Sequence, residues 1–481
     1  MPYLKLRSKY ALRRFTNNVP LIVSFGNYKP TWEVSEEGMD FLKKCDGVTF
    51  IDKESLSETE YEYFRRFSEM GFIREMSHPH PLKPGREYKH FHHKRIAQAN
   101  WVITLKCNLR CLHCLNLTGS GRENGTEFSI ENAKIIIKRL SDYGVESVKI
   151  FGGEPTVHAH LFDIIELIYA SGMEVSIIDT NGILVNESFL DRLDAIGSHP
   201  TFSISFDGVG THDWMRNRSG CELETLNAIK LCNDRGFSTS ININVNKKTL
   251  PVLDETMHCL IDLGCKNFKV LRTSETIRWQ ETQANAGEQL TIPSEEFAAM
   301  IPSWVEGMIH EIRKGISVCY YDQFTISAKT TGKDLYTVLD DLPEKYSGWC
   351  SRAENGISIG CEGHVTPCLG MEPLLQMHGM LTDDINLLKN GLEDILYGDF
   401  YKNTFRITRK DIQESSESCG GCDKWDVCYG GKCRLNALTT PQSIARGIPI
   451  SKKYLCEPDA VYCYFLKSGY LEKTAEILDR Y

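Results

Sequence analysis

The sequence lacks the features that would tie it to a membrane, a secretory route or nucleic acid. Its 481 residues contain no run of about 18 apolar residues, the length that a membrane-spanning helix needs. The chain begins MPYLKLRSKYALRRF, which is basic but has neither the apolar core nor the cleavage site of a signal peptide. Lys and Arg number 55 against 64 Asp and Glu, a net charge of -9 that does not favour nucleic acid. We expect a cytoplasmic protein with no nucleic-acid and no membrane partner.

Cysteine, by contrast, is abundant. The chain has 18 cysteines, crowded into a stretch near residue 110 and a region beyond residue 340. Without a secretion signal, metal ligation accounts for clustered thiols better than disulfides do. Five further cysteines stand in helix-like or turn segments and are expected to be ordinary core or surface thiols: Cys45, Cys221, Cys232, Cys259 and Cys265.

Residues 1–75 are predicted to form a small separate domain. The stretch NVPLIVSFGNYKPTWEVS has apolar runs broken by Gly, Asn and Pro, as in a short antiparallel hairpin. Two later stretches, SEEGMDFLKKC and SETEYEYFRRFSEMGFI, space their apolar residues as helices do. A hairpin followed by helices suggests a winged-helix-like domain, and an extra packing domain is the alternative. Residues 76–97 are rich in Pro, His and Lys and are predicted to be a linker, a solvated tether.

Residues 98–330 alternate between strand-like and helix-like segments. The strand-like stretches are WVITL, SVKIF, EVSIID, TFSISF, STSININV and NFKVL. Repeated units of this kind predict an α/β fold with a parallel sheet flanked by helices, as an open or closed barrel. In such folds the chemistry lies at the C-terminal ends of the strands. Residues 331–481 lose the periodicity and are rich in cysteine, so we expect a loop-rich domain with little apolar core of its own, held together by metal sites.

The stretch CNLRCLHC places Cys107, Cys111 and Cys114 directly after the first predicted barrel strand. Structural zinc and closed iron–sulfur sites normally take four protein ligands, so three thiolates leave one metal position for another ligand. A second motif, FGGEP, ends the next strand at 151–155. By itself GGEP is more often a plain turn. Together, in this order, the two motifs resemble the radical S-adenosylmethionine (SAM) superfamily, which implies a partial (β/α)6 barrel.

The resemblance implies a [4Fe–4S] cluster on the three cysteines, with SAM bound to the fourth iron through its amine and carboxylate. Backbone carbonyls of Gly152 and Gly153 and the carboxylate of Glu154 would bind the SAM amine. The other candidate SAM-binding residues lie in segments that look like family segments: Asn181, Ser205, Asp207 and Arg216. An ordinary turn is the alternative for Asp207 and the glycine after it. Family members usually have an aromatic residue where this chain has His113.

The chemistry also follows from the resemblance. An electron from the cluster cleaves SAM into methionine and a 5′-deoxyadenosyl radical, which takes a hydrogen from an unactivated carbon. The protein positions the substrate and excludes water. An electron donor such as flavodoxin or ferredoxin is implied, and the sequence assigns no catalytic residue.

The cysteines beyond residue 340 resemble the seven-cysteine SPASM domain of peptide-modifying radical SAM enzymes, which holds two auxiliary [4Fe–4S] clusters. The resemblance assigns auxiliary cluster I to Cys350, Cys368 and Cys433. It assigns auxiliary cluster II to Cys419, Cys422, Cys428 and Cys456. The stretch CYGGKC has one residue more than the family spacing before Cys433. The cofactors implied are SAM and three [4Fe–4S] clusters, and a pair of zinc ribbons is the alternative.

Auxiliary cluster I thus has three assigned ligands. Cys361, Cys319 and Cys463 are candidates for a fourth, but none stands at the family's upstream spacing. If the position is open, a substrate thiolate can bind the iron directly. This open position favours an enzyme that forms thioether crosslinks.

The N-terminal residues resemble the peptide-recognition element of ribosomal peptide maturation systems, typified by the pyrroloquinoline quinone peptide chaperone. In that family the leader of a precursor peptide adds a strand to the edge of the hairpin. Together the resemblances imply a maturase of a ribosomally synthesised precursor peptide. Carbon–carbon crosslinking is the main alternative. A sulfatase-type maturase is disfavoured because PCLGM has no Asp after the second SPASM cysteine, and a non-catalytic metal-bound scaffold is the alternative from another class.

Overall fold

The structure is a computed structural model that describes residues 3–16, 20–25, 31–114, 126–320, 324–336, 356–428 and 455–481. Two predicted cluster ligands, Cys350 and Cys433, lie outside the described residues. Within the described ranges, no helix is both long enough and apolar enough to cross a membrane.

The N-terminal residues form two small sheets and two helices. Their elements are β1 (Tyr3–Leu6), β2 (Tyr10–Arg14), β3 (Leu21–Ser24), β4 (Thr31–Glu33), α1 (Glu36–Lys44), β5 (Asp46–Phe50), α2 (Glu58–Glu69), β6 (Ile73–Met76) and β7 (Lys89–His90). The predicted hairpin is the antiparallel pair β3 and β4, and both predicted helices follow it. Ser35 caps α1, and Ser57 with Glu60 forms a capping box on α2. The sequence pattern does not predict β1, β5 or β6, which form a second sheet in the order β5-β1-β6.

Part of the segment 76–97 packs against the protein, so the expectation of a solvated tether is wrong there. The guanidinium of Arg86 is buried, donates to the carbonyl of Gly172 at 2.8 Å and pairs with Glu174 at 2.5 Å. The ring of His93 stacks on Tyr143 with centroids 3.6 Å apart. Composition predicted exposure because Pro, His and Arg are usually solvated, but here the Arg stem and the His ring have partners from the barrel. The domain boundaries themselves stay predictions.

The central sheet has ten strands in the order β15-β14-β13-β12-β11-β10-β9-β8-β16-β17. Its strands are β8 (Gln98–Thr104), β9 (Ser147–Gly152), β10 (Glu174–Thr180), β11 (Thr201–Ser205), β12 (Thr239–Val245), β13 (Asn267–Arg272), β14 (Ser317–Tyr320), β15 (Phe324–Ile326), β16 (Gly356–Ile359) and β17 (Val365–Thr366). Strands β8 to β13 are parallel and adjacent in chain order, which confirms the predicted α/β fold with a partial (β/α)6 barrel. Their carboxyl ends therefore meet at one edge of the sheet.

Helices follow the barrel strands. They are α3 (Ile130–Tyr143), α4 (Leu161–Ala170), α5 (Glu187–Ile196), α6 (His212–Arg216), α7 (Cys221–Asp234), α8 (Leu253–Asp262), α9 (Ile277–Ala286) and α10 (Ser294–Arg313). Helices α3 and α5 end at glycines in the left-handed conformation, Gly144 and Gly197, as the sequence predicts. Strand residues such as Ile150, Phe202 and Ile241 are fully buried in the apolar cluster that the helices cover.

The described residues of the C-terminal region form short helices joined by loops, and their buried side chains belong to the core of the barrel, so the region has little apolar core of its own. Its helices are α11 (Gly332–Leu335), α12 (Met371–Met377), α13 (Leu392–Tyr397), α14 (Asp399–Phe405), α15 (Arg409–Ser415), α16 (Glu417–Gly420), α17 (Trp425–Cys428), α18 (Ala460–Lys467) and α19 (Tyr470–Arg480). Leu387, Ile412 and Phe465 belong to the same buried cluster as the barrel. Most of these helices have seven residues or fewer, too short to show a clear apolar period in the sequence.

Short 3-10 helices complete the described structure: Lys53–Ser55, Pro155–Val157, Leu250–Val252 and Asp383–Ile385. The predicted core and surface thiols lie as expected. Cys45, Cys221, Cys232 and Cys265 are buried, and Cys259 is half-buried.

Candidate functional site

The cysteine triplet lies in the loop that leaves β8, at the carboxyl edge of the sheet. The N–H of Leu109 donates to Cys107 Sγ at 3.4 Å, and the N–H of Cys114 donates to the carbonyl of Cys111 at 3.4 Å. The N–H of Leu112 donates to the carbonyl of Met215 in α6 at 2.9 Å. The loop is therefore held by its own turns and by the segment that follows β11.

Burial makes two of these thiols, those of Cys107 and Cys111, poor acids in the protein alone. It raises the pKa of Cys107 to about 12, and negative charge on Glu154, Cys111 and Cys114 acts in the same direction. Burial also raises the pKa of Cys111, against the opposing effect of Arg216. The mutual influence of the three thiols shows that the loop gathers them. Among the described residues, no three His, Cys, Asp or Glu side chains are arranged to hold a single metal ion.

The two glycines of GGEP lie directly against the cysteine loop. A Cβ on Gly152 would lie 2.7 Å from the carbonyl oxygen of Thr104, and one on Gly153 would lie 2.3 Å from that of Lys106. Real Cβ contacts are not this short, so a side chain at either position would displace the loop. The N–H groups of Gly153 and Glu154 donate to these same two carbonyls. Glycine is therefore required at both positions so that the two motifs can lie this close to each other, whether or not a ligand is bound.

Glu154 joins the ends of β9 and β10. Its Oε1 accepts from the N–H and the hydroxyl of Thr156 and from the hydroxyl of Thr180, at 2.7 to 3.0 Å. From the residues that the structure describes, its Oε2 accepts a single bond, from the N–H of Asn181 at 2.7 Å. Burial raises the pKa of Glu154, although these bonds oppose the shift. A carboxylate oxygen has two lone pairs, so Oε2 retains one for an ammonium group.

Asn181 connects the same region to the cysteine loop. Its Nδ2 donates to Asn108 Oδ1 at 2.7 Å, and Asn108 stands between the first two cysteines of the triplet. The motifs CNLRC and GGEP and the stretch TNG at 180–182 therefore form one hydrogen-bonded unit. Asn108 and Thr180 are functional candidates that the sequence analysis does not name, although Asn108 lies inside the cysteine motif and Thr180 directly precedes the candidate Asn181.

Asp207 and Arg216 form a buried ion pair next to the triplet. Arg216 Nη2 lies 2.7 Å from Asp207 Oδ2, and Nη1 donates to Cys111 Sγ at 3.6 Å. Asp207 Oδ1 accepts from the N–H of Asn244 at 3.1 Å. Arg216 and its neighbours hold the pKa of Asp207 below its usual value, although burial opposes the shift. The guanidinium therefore places positive charge beside the Cys111 thiol.

Two histidines flank this pair, and neither is charged near neutral pH. His212 Nδ1 accepts from the N–H of Asp207 at 3.0 Å, so this nitrogen carries no proton. Burial and the Arg216 charge lower the pKa of His212 to about 3. Burial also lowers the pKa of His113 to about 4. No signal in the sequence identified His212, which becomes important only because α6 folds back over Asp207.

The residues fit the cluster and the SAM that the sequence motifs predict. Two buried nitrogen atoms beside the triplet, His113 Nδ1 and Arg216 Nε, lack a hydrogen-bond partner in the part of the chain that the structure describes. Buried polar atoms of this kind usually have partners, so they favour a polar ligand at this place. Ser205 lies half-buried at the end of β11, in register with Asn242, on the same edge. The structure therefore brings all seven predicted SAM-binding residues to the carboxyl edge of the sheet.

The described cysteines of the C-terminal region lie on several different elements. Cys368 follows β17, whereas Cys419, Cys422 and Cys428 lie on or beside α16 and α17, and Cys456 is fully buried before α18. Among the possible fourth ligands of auxiliary cluster I, Cys361 Sγ donates to the carbonyl of Thr126 at 3.0 Å. Cys319 lies in β14, and the charges of Cys422 and Cys419 act on Cys463.

Comparisons with known proteins agree with this geometry. A model of the Radical SAM superfamily matches residues 101–258. The chain is 33% identical to the antilisterial bacteriocin subtilosin biosynthesis protein AlbA of Bacillus subtilis, over 67% of this chain and 66% of that protein. It is 30% identical to the mycofactocin maturase MftC of Mycolicibacterium smegmatis, over 69% and 76%. It is also 26% identical to the AdoMet-dependent heme synthase of Methanosarcina barkeri, over 70% and 92%.

Among solved structures, the chain resembles SuiB of Streptococcus suis in the crystal structure with its precursor peptide SuiA. The alignment has a TM-score of 0.62 and covers 95% of this chain and 99% of that one. The identity is 16%, so the likeness shows a shared fold over nearly the whole length.

Proposed function

Because this chain belongs to the radical SAM superfamily, we propose that it modifies a ribosomally synthesised precursor peptide by forming thioether crosslinks between a cysteine sulfur and a carbon. The observation that carries the proposal is the triplet Cys107, Cys111 and Cys114, whose loop is joined to GGEP and to the stretch TNG at 180–182 in one hydrogen-bonded unit. The peptide substrate is supported by likeness to two proteins whose names describe bacteriocin biosynthesis and mycofactocin maturation.

In this proposal the three cysteines hold a [4Fe–4S] cluster, and Gly152, Gly153 and Glu154 Oε2 bind the amine of SAM. When bound, the reduced cluster and SAM supply the radical that removes a hydrogen atom from an unactivated carbon. Asn181, Ser205, Asp207 and Arg216 complete the site. Arg216 has a further task, because its charge lies beside Cys111 and opposes the effect of burial on that thiol.

The C-terminal cysteines are proposed to hold two auxiliary [4Fe–4S] clusters, one on Cys350, Cys368 and Cys433 and the other on Cys419, Cys422, Cys428 and Cys456. A precursor cysteine would then lose its proton as it binds an open iron of the first, because a coordinating thiol must deprotonate. The region from residue 331 onward would thus be the SPASM domain, and a flavodoxin or ferredoxin would supply electrons.

The N-terminal residues 1–75 are proposed to bind the leader of the precursor. Strand β4 is an edge strand in the described sheet, whose order is β4-β3-β2-β7. An unpaired edge accepts an extended peptide through backbone hydrogen bonds. This arrangement supports leader binding at the hairpin.

Thioether formation can be distinguished from carbon–carbon crosslinking, the rival within the same class, by alkylation. Both reactions remove two hydrogens, so the mass of the product is the same. A thioether hides its cysteine from iodoacetamide even after reduction, and we expect the lighter product to resist alkylation. A free thiol in that product would refute the thioether and favour a carbon–carbon bond.

Heme formation is a second candidate, because the likeness to the heme synthase covers 92% of that protein. The test is to supply the reconstituted protein with SAM, a strong reductant and either a precursor peptide or an iron porphyrin precursor. We expect 5′-deoxyadenosine together with a modified peptide. Turnover of the porphyrin alone would overturn the proposal, and absence of 5′-deoxyadenosine under all conditions would indicate a metal-bound scaffold.

A further inference from the structure

The barrel lumen contains a buried ion pair that the SAM site does not use. Lys149 Nζ in β9 lies 2.7 Å from Asp179 Oδ2 in β10, and the two side chains are 8% and 18% exposed. Nζ also lies over the ring of Phe151, 4.2 Å from its centroid. Removing two charges from water is costly, and an apolar pair of similar size often serves a core equally well. A charged pair at this place therefore suggests a chemical task.

Asp179 faces the side of the sheet on which the proposed SAM site lies. Side chains two residues apart on a strand point to the same face. Asn181, two residues further on, donates to Asn108 in the cysteine loop. Asp179 thus lies about 7 Å along the strand from the cluster-binding loop, deeper in the lumen.

The lumen around this pair is polar and has space. Asn242 donates to Ser203 Oγ at 2.9 Å and lies 3.5 Å from Asp179 Oδ1. A cavity of 830 Å³ lies on the amino-terminal side, lined by Lys149, Ile177 and Ser203 among others. The lumen is therefore not filled by apolar side chains as in a closed barrel.

The carboxylates at this end of the barrel differ in how fully they are occupied. Glu154 accepts four hydrogen bonds of 3.0 Å or less, and Asp207 is enclosed by Arg216 and Asn244. Among the described residues, Asp179 Oδ2 accepts no directed hydrogen bond apart from its ion pair, and the bond to Oδ1 is long. Asp207 Oδ2 likewise has only its ion pair, but the Asp207 side chain is fully buried, whereas that of Asp179 is 18% exposed. Asp179 is therefore the carboxylate of the three that combines spare acceptor capacity with access from the lumen.

Crosslinking leaves a proton to be accepted. In a thioether an S–H and a C–H bond break and an S–C bond forms. One hydrogen leaves as an atom to the 5′-deoxyadenosyl group, and the other leaves as a proton while one electron passes to an iron–sulfur cluster. A carbon–carbon crosslink has the same balance. We propose that Asp179, held by Lys149, contacts the precursor peptide and accepts this proton. This inference rests on the proposed function.

The test uses the full-length reconstituted protein with SAM, reductant and precursor. Asp179→Asn should still form 5′-deoxyadenosine, because the proposed SAM-binding residues are intact, and the product is compared at saturating precursor so that any loss of affinity does not enter. The crosslinked product should fall by about 100-fold or more, the usual contribution of a positioned acid or base. The ratio of 5′-deoxyadenosine to product should rise accordingly, and Asp179→Glu should restore part of the product. Ile178→Val, on the neighbouring buried position that faces the helices, is the matched control for packing.

A second variant separates chemistry from folding. If the ion pair only stabilises the barrel, Lys149→Met combined with Asp179→Leu should restore crosslinking, because removing both partners of a buried pair is often neutral. Our proposal expects this double variant to keep its melting temperature and to remain slow in crosslinking at saturating precursor. Restored crosslinking in the double variant, or wild-type product and ratio in Asp179→Asn, would overturn it. If the wild-type protein forms no lighter peptide, the proposed function fails instead.

Discussion

At the scale of single residues, the site depends on groups that serve the fold and the ligand together. Glu154 was predicted as a ligand of SAM, and the structure uses most of its carboxylate to join β9 to β10. Gly153 was predicted to approach SAM, and it also lies against the cysteine loop. A substitution at either residue therefore disturbs the position of the triplet as well as any contact with SAM.

The triplet offers the clearest test at this scale. Replacing Cys107, Cys111 and Cys114 together by Ala should abolish SAM cleavage, because no thiolate then holds the cluster. The iron content should fall from about twelve to about eight atoms per chain, since the C-terminal clusters remain. The matched control is Cys232→Ala, which removes a buried thiol in α7 and should keep both SAM cleavage and the full iron content. Retained 5′-deoxyadenosine formation in the triple variant would refute the assignment.

At the scale of elements, the edge of β4 is the feature most open to experiment. The N–H of Val34 donates to the carbonyl of Pro20, and Leu21 faces Glu33 in the register of β3 and β4. Hydrogen-bonded pairs alternate in an antiparallel ladder, so the backbone groups of Glu33 point away from β3. They are the groups that an added peptide strand would meet.

Glu33→Pro should therefore weaken precursor binding without breaking the ladder. Proline removes an outward N–H and is tolerated on edge strands. The loss of one hydrogen bond should raise the Kd by roughly three- to tenfold, measured by titration with labelled leader peptide. Glu33→Ala keeps the N–H and should bind as wild type does, while SAM cleavage without peptide should be equal in both. Equal affinity of the proline and alanine variants would exclude β4 as the leader site.

This substitution is gentler than removing residues 1–75. Strand β7, which lies beyond that boundary, pairs with β2, and Arg86 is buried between the N-terminal residues and the barrel. Deleting residues 1–75 would remove the strand that pairs with β7 and the N-terminal residues that pack on Arg86. Lost binding in the truncated protein would therefore not separate recognition from folding.

At the scale of the whole molecule, the C-terminal region and the barrel share one sheet and one core. Strand β16 pairs in parallel with β8, with Gly356 opposite Gln98. Helices α18 and α19 pack on α10. The region that carries the predicted auxiliary ligands is therefore joined directly to the strand that precedes the triplet, which places its cysteines on a rigid support.

We expect three [4Fe–4S] clusters in protein reconstituted without oxygen, because the ten assigned thiolates fall into three groups. Iron and acid-labile sulfide should each approach about twelve per chain. A single cluster, or stoichiometric zinc in the C-terminal region, would contradict this prediction. Removing Cys419 and Cys422 together should lower the iron content by about four without affecting the triplet.

The sequence by itself determined the class of protein, since its evidence is local. The triplet and FGGEP are short motifs whose spacing is fixed by one strand and one turn, and the alternation of segments from 98 to 330 follows from the side-chain periods of strands and helices. The family match confirms the radical SAM identification, and β8 to β13 confirm the barrel. The same local signals found the hairpin of β3 and β4 and both helices after it.

Only the tertiary structure decided what depends on residues far apart in the chain. The pairing of Arg216 with Asp207 and Cys111, the packing of Arg86 on Gly172, and the addition of β16 to β8 each join segments that no short window contains. The ion pair of Lys149 and Asp179 is of the same kind, because it exists only where two strands 30 residues apart lie side by side. The periodicity of a sequence shows which face of a helix or strand a residue occupies. The tertiary fold alone determines which distant residue contacts it on that face.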